Sequence, residues 1–228
     1  MIKNRWASLL KSFGKKHYGL SKFKPRFILD ENVTNANNYF VGAFSDCARL
    51  ITLDLNDNKM TALTQGLFTG ALKVRHLDVR HNRIEQISPA AFTDLTSLQL
   101  LLLSGNRVTD LHVCTFSSVY KLVLLDLSEN FLTVIRNGVF SGLKKLDELY
   151  LNRNALEFVD LHGLHQLRYL YLANNRLYSV RNLRTPESLK SLTLVGNNFN
   201  CTCQFLDGLA KIGWSGNMLA SCHSLHKV

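Results

Sequence analysis

The sequence predicts a solenoid, an α/β fold in which short repeats stack along a single parallel β-sheet. Three observations carry this prediction. A leucine recurs every 24 residues and then at steps of 21 and 22, an asparagine follows each of these leucines after five residues, and apolar residues alternate with polar ones around the leucine. Since 46% of the 228 residues are hydrophobic and 19% are charged, the chain has the composition of a folded domain.

Each recurring leucine lies in a predicted strand, with a further apolar residue two positions later. The strand leucines are Leu53, Leu77, Leu101, Leu125, Leu149, Leu170 and Leu192. One such strand cannot bury its apolar face alone, so the copies must stack at about 4.8 Å per strand. Seven strands predict roughly 29 Å of sheet.

The asparagines come where the chain turns inward after each strand. Their side-chain amides can bond backbone groups that would otherwise be buried without a partner, which predicts a ladder from coil to coil. The ladder residues are Asn58, Asn82, Asn106, Asn130, Asn154, Asn175 and Asn197.

The first four repeats also share a phenylalanine, which predicts a second apolar spine on the opposite, convex side. These residues are Phe68, Phe92, Phe116 and Phe140, and the shortened fifth and sixth repeats lack an equivalent. Upstream, Leu29 lies 24 residues before Leu53. Residues 27–49 are therefore predicted to be a degenerate first repeat, as is common for a terminal repeat that caps the core.

The chain from Leu122 to Leu132 reads Leu-Val-Leu-Leu-Asp-Leu-Ser-Glu-Asn-Phe-Leu and resembles the leucine-rich repeat motif LxxLxLxxNxL. The 24-residue period with its phenylalanine is similar to the typical extracellular subclass, over about residues 27–222. This resemblance implies a horseshoe with a parallel sheet on its concave face and a mostly irregular or short-helical convex side. The sequence contains no phosphate-binding loop, dinucleotide motif or nucleophile elbow, so we expect neither an enzyme nor a cofactor.

The chain divides into three predicted parts. Residues 1–26 carry +8 of the net charge of +10 and are expected to be disordered or a mis-assigned start, because they lack a secretory signal pattern. Residues 27–200 form the solenoid, and residues 201–228 form a cysteine-containing cap, truncated or divergent. The remaining chain is close to neutral and no apolar run reaches the roughly 18 residues of a membrane span, so we expect neither a nucleic acid partner nor a transmembrane segment.

Three cysteines near the end of the sequence support the prediction of a cap. Cys201 and Cys203, followed by an apolar stretch and Cys222, resemble the C-terminal cap of extracellular leucine-rich repeat proteins. The resemblance implies a bridge from Cys222 to Cys201 or Cys203, and the spare thiol leaves open a disulfide-linked or a non-covalent oligomer. Cys47 and Cys114 align with apolar or small residues of other repeats, so we interpret both as buried.

Two glycosylation sequons, at Asn32 and Asn200, point to the same compartment. We therefore expect a secreted, disulfide-containing glycoprotein whose natural start carries a signal peptide, or the ectodomain of a truncated membrane protein. The interrupted basic pattern of residues 1–26 conflicts with this expectation.

The outward-facing strand positions contain the candidate binding residues. Most repeats place polar residues there, but a central group is apolar, aromatic or cationic: Leu100, Leu102, Leu124, Tyr150, Arg153, Tyr169 and Tyr171. Such a composition is typical of interface hot spots, although single exposed leucines and tyrosines are also ordinary on β-surfaces. His76, Asp78 and His81 share one face, yet we expect no metal, because concave faces of such solenoids are commonly polar.

The favoured hypothesis is a non-enzymatic extracellular recognition protein that binds a protein ligand through the concave face. The regular repeats and the CxC cap resemble Toll-type ectodomains, adhesion proteins and the secreted leucine-rich immune proteins of invertebrates. Innate immunity is therefore the favoured role, and a cell-adhesion or developmental receptor fragment is the near alternative. A further alternative is binding of an anionic polymer through the basic leader, which predicts a steep loss of affinity with salt.

Overall fold

The computed structural model describes residues 22–23, 44, 49–179, 183 and 185–199. Its strands are β1 (Lys22–Phe23), β2 (Thr52–Asp54), β3 (Ala62–Leu63), β4 (His76–Asp78), β5 (Gln86–Ile87), β6 (Leu100–Leu102), β7 (Leu124–Asp126), β8 (Val134–Ile135), β9 (Glu148–Tyr150), β10 (Phe158–Val159), β11 (Tyr169–Tyr171) and β12 (Ser191–Thr193). Eight of them form one parallel sheet in the order β1-β2-β4-β6-β7-β9-β11-β12. The predicted solenoid with a parallel sheet is confirmed.

The strand leucines form the core of this sheet. Leu53 pairs in register with Leu77, and the same register continues to the last strand. Six of the seven are 0% exposed, and Leu192 in the last strand is 6% exposed. Their strand neighbours are only partly buried or exposed, so the two-residue alternation of the sequence separates a core face from an open face.

The sheet begins earlier in the chain than the repeat spacing indicated. β1 pairs with β2 so that Phe23 lies opposite Leu53, the place that the 24-residue spacing assigned to Leu29. A first strand needs only backbone pairing with its neighbour, so its connection need not keep the repeat length. The predicted boundaries at 26/27 and 200/201 lie outside the described residues and stay predictions.

The convex side consists of tight turns rather than helices within the described residues. Successive bonds from residue i to i+3 build them, as from the Thr69 N–H to the Gly66 carbonyl (3.2 Å) and from the Ala71 N–H to the Phe68 carbonyl (3.0 Å). Two small parallel pairs, β3 with β5 and β8 with β10, join neighbouring coils at the side. The sequence had not indicated these pairs.

The predicted phenylalanine spine is confirmed. Phe68, Phe92, Phe116 and Phe140 stack with ring centroids 6.2, 6.0 and 6.2 Å apart. Phe44 extends the row at 6.1 Å from Phe68. Beyond Phe140 the row ends, and residue 164, 24 positions later, is a leucine that is 1% exposed. A smaller side chain therefore fills the core where the repeat is shorter.

The asparagines form a ladder that joins each coil to the one before it. The Asn106 amide donates to Val79 O of the previous coil (3.0 Å) and to Leu103 O of its own (2.9 Å). Its Oδ1 accepts the Ile84 N–H at 3.1 Å. The same bonds recur at Asn82, Asn130, Asn154, Asn175 and Asn197. Asn58, in the first full repeat, donates to Leu55 O of its own coil (2.9 Å).

The residue before each ladder asparagine has a left-handed backbone. Two of these residues are glycines, Gly105 (φ 67°) and Gly196 (φ 73°), and the other five have φ between 53° and 56°: Asp57, His81, Glu129, Arg153 and Asn174. This conformation costs a residue with a Cβ about 1–2 kcal/mol. The turn keeps it because it carries the next side chain, the asparagine, into the core.

Cys114 is exposed, so its interpretation as a buried residue is wrong. Cys114 is the first residue of a convex turn. Its carbonyl accepts the Ser117 N–H at 3.2 Å, and its N–H donates to His112 Nδ1 at 3.2 Å. Small residues recur there because the turn is tight, and the core is filled by the next two residues, Thr115 and Phe116. Cys47 lies outside the described residues, as do the cap cysteines and both sequon asparagines, Cys201, Cys203, Cys222, Asn32 and Asn200.

Candidate protein-binding face

From β2 to β12 the open face of the sheet carries two parallel rows of side chains, one from the first residue of each strand and one from the third. The first row is Thr52, His76, Leu100, Leu124, Glu148, Tyr169 and Ser191. The second row is Asp54, Asp78, Leu102, Asp126, Tyr150, Tyr171 and Thr193. The strand register makes consecutive members of a row direct neighbours, about 4.8 Å apart along the sheet.

Three leucines form an apolar group near the middle of the face. Leu100 lies directly beside Leu124 in the first row, and Leu102 lies between Asp78 and Asp126 in the second. All three leucines are partly exposed, whereas the strand leucines between them are fully buried. A partner that covered this group would remove apolar surface from water.

Tyr150 and Tyr171 form a stacked aromatic pair. Their ring centroids are 4.3 Å apart and their planes differ by 8°. The in-register pairing of β9 with β11 brings the two rings together. Tyr169 lies in the first row on the same strand as Tyr171, and the Arg168 guanidinium is 5.7 Å from its ring centroid. The rings are thus held by the sheet before any partner arrives.

Glu148 orients the stacked pair. The Tyr150 hydroxyl donates to Glu148 Oε2 at 2.8 Å. Burial, this hydrogen bond and a further one with Tyr171 raise the pKa of Tyr150 well above its ordinary range, with burial as the largest cause. Glu148 was not among the predicted site residues, although a carboxylate two positions before a tyrosine on one strand face is a signal that would have found it.

The predicted site residues divide into two groups rather than one continuous patch. Asp126 lies between Leu102 and Tyr150 in the second row, and Glu148 lies between Leu124 and Tyr169 in the first. Asp126 accepts bonds from the Ser128 N–H (2.9 Å) and hydroxyl (2.6 Å), so it also shapes the turn after its strand.

Arg153 lies at the rim of the face, in the left-handed turn after β9, and not beside the tyrosine rings in the rows. Its Nη1 donates to Glu129 Oε1 in the preceding coil at 2.8 Å. The side chains of Arg153 and Glu129 are 65% and 44% exposed, so this ion pair contributes at most about 1 kcal/mol to stability.

From β2 to β12 the face is acidic. These strands and the turns that follow them hold six carboxylates, Asp54, Asp57, Asp78, Asp126, Glu129 and Glu148, against two arginines. Arg80 binds Asp78 through two contacts, 3.0 Å from Nε to Oδ1 and 2.7 Å from Nη2 to Oδ2, and this hydrogen bonding raises the pKa of Arg80. Both arginines on the face are therefore engaged with acids of the same face.

Histidines on this face do not gather into a metal site. His76 Nδ1 lies 3.4 Å from Thr52 Oγ1, and Asp78 is engaged by Arg80. In the part of the chain that the structure describes, no group of three or more His, Cys, Asp or Glu side chains is arranged to hold a metal ion.

The repeat, the ladder and the sheet define a leucine-rich repeat solenoid. The sequence model described as leucine rich repeat matches residues 48–108, 101–156 and 120–177, more than half of the chain. The chain therefore belongs to the leucine-rich repeat family, whose domains are generally non-enzymatic modules for protein interaction. No curated protein matches the chain.

Two solved structures illustrate the likeness. A protein chain in the crystal structure of the TLR13–ssRNA13 complex aligns with this chain at a TM-score of 0.57 and 24% identity. The alignment covers 73% of this chain and 28% of that one. The leucine-rich repeat domain of APL1B aligns with a TM-score of 0.63 and 24% identity, covering 73% and 47%. The chain spans less than half of the length of either, and the likeness is one of fold. Within the described residues no helix is long and apolar enough to span a bilayer.

Proposed function

We propose that this chain is an extracellular recognition module of innate immunity that binds a protein partner through the concave face of its sheet. The observation that carries the proposal is the stacked pair of Tyr150 and Tyr171. Tyrosine rings provide a large contact area with few rotatable bonds, and here the pair is already ordered by stacking and by the Glu148 hydrogen bond. Binding therefore loses little side-chain entropy at this point.

The surroundings of the pair favour a protein surface as the ligand. The leucine group of Leu100, Leu102 and Leu124 adds a second apolar anchor two coils away. Carboxylates between and beside the two anchors provide a polar rim, which is the arrangement of protein interfaces. The net acidity of the face favours a partner that presents basic residues around an apolar centre.

The immune role rests on the two structural neighbours, both of which share the fold with this chain. Secretion rests on the sequons and the cap cysteines. Secretion is tested by unreduced intact mass and peptide mapping of the protein from its native source. We expect glycans on Asn32 or Asn200 and a bridge involving Cys222, and a fully reduced, unmodified chain would exclude the secreted role.

The concave-face proposal is tested by capture and then by substitution. A photo-crosslinking residue at position 171 is expected to capture the partner from native extracellular fluid, and the same residue at the exposed Tyr178, off the concave face, is not. The combined variant Tyr150→Ala, Tyr169→Ala and Tyr171→Ala should then lose most affinity for the captured protein. Aromatic anchors of interfaces each contribute about 2 kcal/mol or more, so a loss of at least a hundredfold is expected.

A matched variant separates binding from folding. Tyr120→Ala, Phe131→Ala and Tyr178→Ala removes three exposed aromatic side chains that lie outside the two rows of the face. This variant should keep the affinity of the natural protein, and both variants should keep their far-ultraviolet circular dichroism. Equal affinity of the two variants would overturn the concave-face proposal.

A further inference from the structure

One flank of the solenoid holds eight of the fifteen Lys and Arg residues that the structure describes between positions 49 and 199. It consists of the residues one, three and four positions before each strand of the main sheet from β2 to β12, and we call it the basic flank. Its cations are Arg49, Lys73, Arg75, Lys121, Lys144, Lys145, Arg168 and Lys190, and its acids are Asp147 and Glu187. The other described residues from 49 to 199 hold seven cations and eleven acids, so the two parts of the surface have opposite net charge.

Backbone bonds hold the residues one position before each strand in register along the basic flank. The Arg75 N–H donates to Ile51 O and the Gln99 N–H to Arg75 O, each at 2.8 Å, and the same bond recurs in every following coil as far as Lys190. Consecutive coils are therefore about 4.8 Å apart, and the seven coils span roughly 29 Å. The cations project from a rigid support whose spacing is set by the sheet.

The cations of the basic flank are exposed, except Lys121, which is partly buried. Of the eight, only Arg168 has an ion pair between described residues, with Asp147, whose pKa this contact lowers. Arg49, Lys73 and Arg75 lie in two adjacent coils whose flank positions hold no acid. Mutual repulsion in such a cluster opposes folding, so the arrangement is not explained by stability.

We propose that the basic flank binds a linear sulfated polysaccharide. A row of cations along one edge matches a chain with anionic groups on successive sugars, and binding releases the counterions of that chain. Single-stranded nucleic acid is less well matched, because its binding sites stack bases on aromatic platforms. On the basic flank the exposed aromatic residue is Tyr120, and the Lys121 ammonium already lies 5.7 Å from its ring centroid. The site is separate from the concave face and does not depend on the function proposed there.

The test compares two charge reversals of equal size in the full-length chain. Lys73→Glu with Arg75→Glu alters the basic flank. Arg107→Glu with Arg176→Glu alters exposed positions on the opposite flank, where acids such as Glu85 lie among the cations. The probe is a size-defined, fluorescently labelled heparin fragment, and the readout is its dissociation constant over a series of salt concentrations.

We expect the basic-flank variant to bind heparin at least about tenfold more weakly than the natural chain near 0.1 M salt, and the slope of log K against log salt to fall by about 2. The opposite-flank variant should bind within about threefold of the natural chain, because it changes the net charge but not the row. Residues 1–26 are present in both variants, so their charge does not account for a difference between them.

Other outcomes overturn the proposal. Equal losses in the two variants would show that net charge alone governs binding, and no loss in either would exclude the basic flank. Tighter binding of a single-stranded RNA of matched charge, with the same response to Lys73→Glu and Arg75→Glu, would assign the flank to nucleic acid instead. If that variant does not fold, Lys144→Glu with Lys145→Glu alters the same flank three coils further on and is judged by the same criteria.

Discussion

Asn130 provides the most direct test of how the coils are held together. The residue is 4% exposed, and its amide donates to Leu103 O of the preceding coil (3.1 Å) and to Leu127 O of its own (3.2 Å). Its Oδ1 accepts the Val108 N–H at 3.0 Å. Replacing Asn130 by leucine keeps the approximate volume and removes all of these bonds.

Removing the Asn130 side chain affects its backbone hydrogen-bond partners unequally. Leu103 O still accepts from Asn106 and Leu127 O still accepts from Asn154, because neighbouring rungs of the ladder share carbonyls. Val108 is fully buried, and its N–H loses the partner that Asn130 supplied. A buried donor without a partner costs about 1–3 kcal/mol, and each lost bond to a carbonyl about 0.5–1.5 kcal/mol. We therefore expect Asn130→Leu to lower the free energy of unfolding by about 3–4 kcal/mol.

Urea denaturation followed by circular dichroism measures the loss, and hydrogen exchange locates it. The Val108 amide should lose its protection, whereas the Ile84 amide, held in the same way by Asn106, should keep it. Asn198→Leu is the matched control, since Asn198 is exposed and should tolerate the change within about 0.5 kcal/mol. An Asn130→Leu protein that unfolds at the same urea concentration as the natural chain, with Val108 still protected, would refute the ladder argument.

Three further substitutions test the turns and the tyrosine pair. Asp57→Gly should raise the free energy of unfolding by about 0.5–1 kcal/mol by relieving a left-handed residue, as urea denaturation would show. Gly105→Ala should lower it by about 1–2 kcal/mol, since φ is 67° and the new Cβ would lie 2.5 Å from His81 Nδ1, and adding His81→Gly should recover part of the loss. Glu148→Gln should lower the raised pKa of Tyr150 in an NMR titration, while burial keeps this pKa above the ordinary value. Because the pKa of Tyr150 is raised in the folded state, the contribution of Tyr150 to the free energy of unfolding is complete below about pH 10 and is lost as the pH rises.

The regular part of the fold is readable from the sequence because each repeat solves the same burial problem in the same way. Leucines at strand centres and a phenylalanine in each long repeat have one place where they can be buried. The strand leucines and the phenylalanine spine both lie where the periodicity predicts them. Irregular positions do not have this constraint. Phe23 pairs opposite Leu53 in place of Leu29, because a first strand needs only backbone pairing with its neighbour. Cys114 is exposed, because it lies at the start of a convex turn whose next two residues fill the core.

The candidate site could be predicted from the sequence only in part. Periodicity identifies which side chains leave the core face, so the residues of both rows can be assigned from the repeat spacing alone. It does not tell whether neighbouring side chains cooperate. The carboxylates of Asp126 and Glu148 divide the expected patch, and Arg153 pairs with Glu129 rather than joining the rings, because rotamers respond to the charges across adjacent coils.

The sequence by itself determined the family, the order of the strands and the two rows of the open face, because a strict repeat of apolar residues can be buried only by in-register stacking. Tertiary structure alone decided what the surface offers. It stacked Tyr150 on Tyr171, left five non-glycine residues in left-handed turns and brought cations from six coils to one flank. The tyrosine pair and the alignment of the cations join residues of different coils, so both exist only once neighbouring coils lie side by side.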